Sequence, residues 1–373
     1  MRHKKILGWM MGAALTFLSV ASAMAQTVAA VTVTTNSLGT QIPTDYLGFS
    51  CEWQFAQDFF GTTSSPNNHF FQLVKNLGNP GVFRIGGNST DEWCWDSGPS
   101  ECQNQMTAGM VNSIFNASAK TGFSVIAGVN LTDGSTTNAV DTVSAFVNDG
   151  LNAFPGSKLI GYEIGNEPDL FDTSTNTHDE TYPSSYTIGD NESDYIKFLK
   201  ALNANATTKG VPYVGPAFAG GWSSQIGSWI GALQTGGVGS TLPNPALITL
   251  HNYPLSNCGG STGTISDLLS ASNMNSNVSA RQSYVNQIEA KGFKLRMAEF
   301  NSSACGGTNG VSDVEASALW AMDVMFRYAQ IGVVGVNFHG GGTEDYSPVM
   351  AASQGATVRP LYYGRLMSPY LFS

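Results

Sequence analysis

The sequence predicts an α/β fold, a closed (β/α)8 TIM barrel, on three observations. Eight short apolar segments alternate with helix-like stretches along one chain. Those segments are near-continuous apolar runs, as strands are when both faces are covered. Acidic, amide and basic side chains collect where the runs end, which is where such a barrel carries its chemistry.

The strands are expected near Tyr46–Trp53, Gly81–Gly87, Phe123–Leu131, Lys158–Glu167, Val211–Phe218, Ala246–Tyr253, Lys294–Asn301 and Val333–His339. Helices are expected between them, for example at Thr107–Lys120, Ala139–Leu151, Ser193–Asn205, Ser223–Leu233, Ser279–Lys291 and Ser312–Gln330. Both ends depart from the pattern. Within Val28–Thr35, the run Val31-Thr32-Val33-Thr34 alternates apolar and polar, the period of a half-buried strand outside the barrel. A last helix begins near Leu361 and the chain stops at Ser373, so the expectation is a barrel over 44–373 cut short in its final helix.

The start of the chain indicates export. Arg2, Lys4 and Lys5 precede an apolar run from Ile6 to Val20, and Ala23-Met24-Ala25 offers a small-residue cleavage site. Residues 1–25 therefore read as a secretory signal, which implies a secreted or periplasmic protein with no membrane anchor after cleavage. With 42% hydrophobic and 12% charged residues, the chain has ample material for a large core. The signal holds three Lys/Arg and no Asp/Glu, so the remainder carries 14 basic and 27 acidic residues. A surface that acidic has no electrostatic footprint for nucleic acid and weighs against long polyanions.

Five cysteines in an exported chain suggest two disulfides and one thiol. Cys94 and Cys102 are close enough in sequence to bridge within one loop. Cys258 and Cys305 each follow a strand end, so a bridge could join two rim loops, and Cys51 falls inside the first strand. Four cysteines pair in three ways, so the connectivity stays open at this level. No Cys-x-x-Cys or Cys/His spacing suggests zinc, and no metal or cofactor is expected.

Read in order, the strand ends give Glu52, Arg84 with Asn88, Asn130, Asn166 with Glu167, Tyr213, His251 with Tyr253, Glu299, and Asn337 with His339. Hydrogen-bonding and acidic groups ringed by aromatics suit a sugar, whose hydroxyls need paired donors and acceptors. Two carboxylates at the ends of separate strands are what retaining glycoside hydrolysis requires. Glu167, in Gly165-Asn166-Glu167-Pro168, is assigned as general acid/base, with a pKa raised by burial or by Glu299. Glu299 is the nucleophile and must stay ionised, which Arg84 is placed to favour. Asn166 could bind the sugar 2-hydroxyl. Glu163 reads as a buried partner of Arg84, and Glu52 as either a sugar ligand or half of a core ion pair. No Gly-x-Ser-x-Gly elbow or phosphate loop is present, which removes esterase and nucleotide readings.

Together, Leu47-Gly48-Phe49-Ser50-Cys51-Glu52, Phe83-Arg84-Ile85-Gly86-Gly87-Asn88, Gly165-Asn166-Glu167-Pro168 and Glu299-Phe300-Asn301-Ser302 through Gly307 resemble glycoside hydrolase family 79. The resemblance spans about Thr44 to Arg365 and implies β-glucuronidase activity. It implies Glu167 as acid/base and Glu299 as nucleophile. It also implies a substrate carboxylate held by the backbone N–H of Gly306, with Gly307, and by Tyr253 and Tyr346. Where relatives place a further tyrosine, this chain reads Ala304-Cys305. The resemblance implies, too, a β-sandwich of which Val28–Thr35 matches the first part. The expected activity is exo-acting release of glucuronic acid, or its 4-O-methyl form, from a carbohydrate. The alternatives are an endo-acting enzyme on uronate polymers, a related glycosidase such as an arabinofuranosidase, or a non-catalytic sugar-binding barrel.

Overall fold

A computed structural model of the chain describes residues 41–78, 80–95, 102, 104–171, 185–260, 263–352 and 355–366. The expected signal segment and the strand expected within Val28–Thr35 lie outside the described residues. All eight expected barrel strands form: β1 (Leu47–Glu52), β2 (Val82–Gly86), β3 (Ser124–Val129), β4 (Lys158–Ile164), β5 (Tyr213–Phe218), β6 (Leu247–Asn252), β7 (Leu295–Phe300) and β8 (Gly335–His339). They close in sequence order, each parallel to its neighbours, with β1 pairing both β2 and β8.

Each strand is followed by a helix: α1 (Asn68–Asn76), α2 (Ala108–Thr121), α3 (Thr136–Ala145), α4 (Ile188–Ala204), α5 (Ile226–Thr235), α6 (Ala271–Glu289), α7 (Glu315–Gln330) and α8 (Pro360–Leu366). Helix α4 starts about a turn earlier than its apolar pattern suggested. Thr187 and Asp190 form a reciprocal capping box that satisfies the first free amides. Helix α6 likewise starts early, where Ser270 accepts from the Asn273 N–H. Helix α1 was not expected; at nine residues it is too short for periodicity to separate helix from strand. Short helices at Ala56–Phe60 and Ile265–Leu268 escaped notice for the same reason.

The core lies in two places. Between strands and helices, aromatic rings interlock behind β1 and β2: Phe49 on Phe59 (4.7 Å), Phe60 on Phe83 (5.0 Å) and Phe83 on Phe123 (4.7 Å). Inside the barrel, buried polar side chains tie strands together. Arg296 Nε donates to Asn337 Oδ1 at 2.7 Å, and Asn337 Nδ2 donates to the carbonyls of Val82 and Phe49 at 3.0 and 3.2 Å. Asn337 is therefore an internal tie between strands, not a member of the rim ring. Tyr213 also leaves that ring. It is the first residue of β5, at the opposite end of the strand, and its hydroxyl donates to the Pro243 carbonyl.

The expected cysteine arrangement is present, with disulfides Cys94–Cys102 and Cys258–Cys305 and a buried free thiol at Cys51. Among the described residues, no helix is long and apolar enough to cross a membrane.

The barrel interior sets a testable limit. A Cβ at Gly48 would lie 2.4 Å from Asn337 Nδ2, and Asn337 is pinned by three hydrogen bonds. Gly48→Ala is expected to destabilise the fold by about 1–3 kcal/mol, the cost of overpacking a filled interior. A lowered urea-unfolding midpoint would register it; an unchanged midpoint would mean that the interior can yield.

Candidate active site

Strand β4 ends at Ile164, so Gly165-Asn166-Glu167 is a turn and not the continuous strand expected to Glu167. Glu167 takes a left-handed conformation (φ 49°), rare for a residue with a Cβ and worth on the order of 1–3 kcal/mol of strain. Two bonds hold it there. The Glu167 N–H donates to the Ala217 carbonyl at 3.0 Å, and the Asn166 N–H donates to Asp91 Oδ2 at 2.7 Å. Pro168 then opens a short 3-10 turn that carries the chain away.

Glu299 is aimed by a bulge. Along β7, Met297 pairs with Leu250 and Glu299 with the very next residue of β6, His251. The extra residue, Ala298, re-aims the strand at its end, as bulges beside active sites do. Glu299 is thereby delivered next to Glu167 and His251, whose donor atoms all lie within 4.8 Å of one another.

Beneath the two carboxylates lies Arg84, fully buried. Its Nε donates to Glu163 Oε2 (2.8 Å), its Nη1 to Glu299 Oε2 (2.8 Å) and its Nη2 to Asn166 Oδ1 (2.9 Å). Glu163 is held from its other side by the Thr249 hydroxyl at 2.6 Å. The expected Arg84–Glu163 pairing is thus present, and the same cation reaches Glu299.

The two carboxylates are driven apart electrostatically. Burial opposes the charge on Glu299, but His339, His251 and Arg84, with the Tyr253 hydroxyl donating at 2.7 Å, outweigh it and hold Glu299 well below the usual carboxylate range. Burial raises the pKa of Glu167, and the negative charge of Glu299 raises it further, against a hydrogen bond from His251. His251 Nδ1 lies 2.9 Å from Glu167 Oε1, while its Nε2 faces the Arg84 Nη2 donor at 3.4 Å. The Nδ1 proton therefore points at Glu167. These donor atoms are already engaged with one another and with Arg84, an arrangement suited to moving a proton rather than ligating a metal.

A cavity of about 730 Å3 opens over this pair. Of the strand-end and site residues singled out in the sequence, Glu52, Asn88, Glu167, Tyr253, Glu299, Gly306, His339 and Tyr346 line it. Arg84 and Asn166 lie below its floor, with Asn166 Nδ2 donating to Asn88 Oδ1. Gly307 lies behind the wall; a Cβ there would come 2.6 Å from the Tyr346 nitrogen. Asn130 binds the carbonyls of Asp91 and Trp93 and organises the loop after β3. Glu52 accepts from the Asn88 and Ser89 amides and the Ser89 hydroxyl, and its pKa is raised by burial. It fixes the loop after β2 and still presents to the cavity. Tyr253 stacks on Tyr346 with ring centroids 6.0 Å apart.

The lining residues that were not anticipated include Asn252, Glu344 and Arg281. Arg281, on α6, donates to Asn252 and is the one Lys or Arg among the described lining residues. Glu344 accepts from the Gly341 N–H at 3.1 Å in the loop after β8. Arg281 belongs to a polar helix and Glu344 to a loop, and neither follows a strand closely enough to signal a site.

No protein-family model matches the chain. It is 27% identical over 362 residues to a β-glucuronidase of Neurospora crassa, covering 86% of this chain and 62% of the relative. It is also 27% identical over 359 residues to a β-glucuronidase of Aspergillus niger, covering 86% and 63%. The chain therefore spans less than two thirds of the length of these curated relatives. Among solved structures, a 4-O-α-L-rhamnosyl-β-D-glucuronidase from Fusarium oxysporum superposes with a TM-score of 0.66 at 19% identity, covering 88% of this chain and 70% of that one. A family 51 arabinofuranosidase from Xanthomonas axonopodis superposes with a TM-score of 0.63 at 12% identity, covering 89% and 74%. These likenesses show a shared barrel. The chain is a homologue of the two β-glucuronidases, in agreement with its resemblance to glycoside hydrolase family 79.

Proposed function

We propose that this chain carries the catalytic barrel of a retaining, exo-acting β-glucuronidase, which releases glucuronic acid or its 4-O-methyl form from a glycoside. The observation that carries the reading is the Glu167–Glu299 pair: oxygens within 4.8 Å, one pKa raised and the other lowered. That spacing belongs with retention, since inversion needs a gap of roughly 6.5–9.5 Å to admit a water between carboxylate and sugar.

In the first step Glu299 attacks the anomeric carbon while Glu167 gives its proton to the departing glycosidic oxygen, leaving a glycosyl ester on Glu299. Glu299 loses its charge in that ester, so Glu167 loses the neighbour that raised its pKa. It then becomes the better base and takes a proton from the water that hydrolyses the ester. Arg84 stabilises Glu299 as the anion at rest and again as it departs from the sugar.

For the substrate carboxylate, the lining offers neutral donors: the Tyr346 hydroxyl and the backbone at Gly306. Tyr253 is committed to Glu299 in this structure, so its proposed part is to orient the nucleophile beneath that carboxylate. With Arg281 as the one Lys or Arg among the described lining residues, a track for a uronate polymer finds little support. Export is part of the reading, supported by the basic start, the Ile6–Val20 run and Ala23-Met24-Ala25.

Hydrolysis of 4-nitrophenyl β-glucuronide against the β-glucoside tests the proposal. Glucuronide is expected to be preferred, with turnover abolished in Glu299→Gln and reduced about 10²–10⁴-fold in Glu167→Gln. Preference for the glucoside would discard the uronate reading, and full activity in Glu299→Gln would discard the mechanism. A second prediction concerns pH. Glu167 must be protonated, so kcat/KM should fall as pH rises through its raised pKa. Because Glu299 contributes to that rise, the Glu167 carboxyl should titrate at lower pH in Glu299→Gln, measured by carbon-detected NMR. An unmoved midpoint would show that the two carboxylates are not coupled.

A further inference from the structure

Two rim loops are tied together over Glu299. After β6, Leu255 and Ser256 pair in parallel with Ser303 and Ala304, which follow β7. The Leu255 N–H donates to the Ser302 carbonyl at 3.2 Å and the Asn257 N–H to the Ala304 carbonyl at 3.3 Å. Asn257 Nδ2 donates to the Gly307 carbonyl at 2.9 Å. The Cys258–Cys305 disulfide, spanning 47 residues, closes this seam, and both cysteines line the cavity.

The residues the seam holds have an unusual backbone. Cys305, Gly306 and Gly307 are consecutive, and all three adopt positive φ (57°, 85° and 91°). For Cys305, a residue with a Cβ, that conformation persists only where the surroundings over-determine it. The covalent link to Cys258 supplies that constraint. Among the described residues, none accepts a hydrogen bond from the amides of these three. Cys305 and Gly306 line the cavity, so their two adjoining amides, without protein acceptors, are placed to meet an anion there. They stand beside Tyr346, whose N–H donates to the Gly306 carbonyl.

We infer that the Cys258–Cys305 disulfide is a specificity-positioning device, which presets the Cys305 and Gly306 amides to receive a carboxylate of the bound sugar. This rests on the uronide reading above. The bridge reaches the substrate through those amides and takes no part in bond breaking. Amides held in place before binding lose no freedom on engaging the anion, and that advantage favours the uronide over a neutral sugar.

The test is the ratio of kcat/KM for 4-nitrophenyl β-glucuronide to that for the β-glucoside, measured in wild type and in Cys258→Ser/Cys305→Ser. The ratio is expected to fall about tenfold, the worth of roughly one charge-assisted hydrogen bond, mostly through KM for the glucuronide. Cys94→Ser/Cys102→Ser, which removes the remote bridge, should keep the wild-type ratio. A bridge that merely stabilises the barrel would depress both substrates in parallel, and that outcome overturns the inference. So does an unchanged ratio in a wild type that prefers glucuronide. A wild type that prefers glucoside refutes the uronide reading and this inference with it. Should the double variant not fold, Asn257→Ala loosens the same loop by losing its bond to Gly307. It should move the ratio in the same direction, and a parallel loss there overturns the inference equally.

Discussion

One buried guanidinium organises this molecule. Arg84 lies in the middle of the barrel with no solvent contact, where an unpaired charge would cost several kcal/mol. It is matched by Glu163 within the barrel and by Glu299 at its mouth, on two different strands. Arg84 joins His339 and His251 in favouring the anion of Glu299, and the cation depends on both carboxylates to remain buried. Structural and chemical roles are therefore inseparable here. The charge that completes the core also favours the anion of Glu299, the proposed nucleophile.

Around that centre, Glu167 and Glu299 differ because their surroundings differ. Glu299 faces Arg84, His251, His339 and the Tyr253 hydroxyl, all of which favour the anion. Glu167 has burial and the charge of Glu299 against it, offset in part by His251. His251 touches both residues, at 2.9 Å from Glu167 and 3.9 Å from Glu299. A change of charge on one carboxylate is thus felt at once by the other, the condition for one group to act first as acid and then as base.

In the proposed enzyme, the rim adds selectivity to this reactivity. The loops after β6, β7 and β8 meet around Tyr253, Gly306 and Tyr346, and a disulfide joins the first two. Four glutamates and one arginine line the cavity among its described residues, so a cation-rich grip is not how it would hold an acid. Fixed amides and hydroxyls offer an alternative that adds no charge beside a nucleophile whose own charge is essential.

The order of elements was legible in the sequence because both layers of this barrel are simple. Strands covered on two faces are largely apolar, and polar residues cluster at or just past the ends of several of them. That Glu167, Glu299, Arg84 and Glu163 would meet at one end of the barrel could be read from strand position, as could the buried thiol at Cys51. The sequence did not show which strand-end residues face inward and which are spent elsewhere. Tyr213 and Asn337 were misplaced because a side chain's depth in the barrel depends on stagger between strands, a long-range property. Only the tertiary structure decided the bulge at Ala298, the left-handed turn at Glu167, the cysteine pairing and the arrival of Arg281 and Glu344 at the cavity. Each arises from contacts between segments far apart in the chain, where local pattern carries no information about which surfaces will meet.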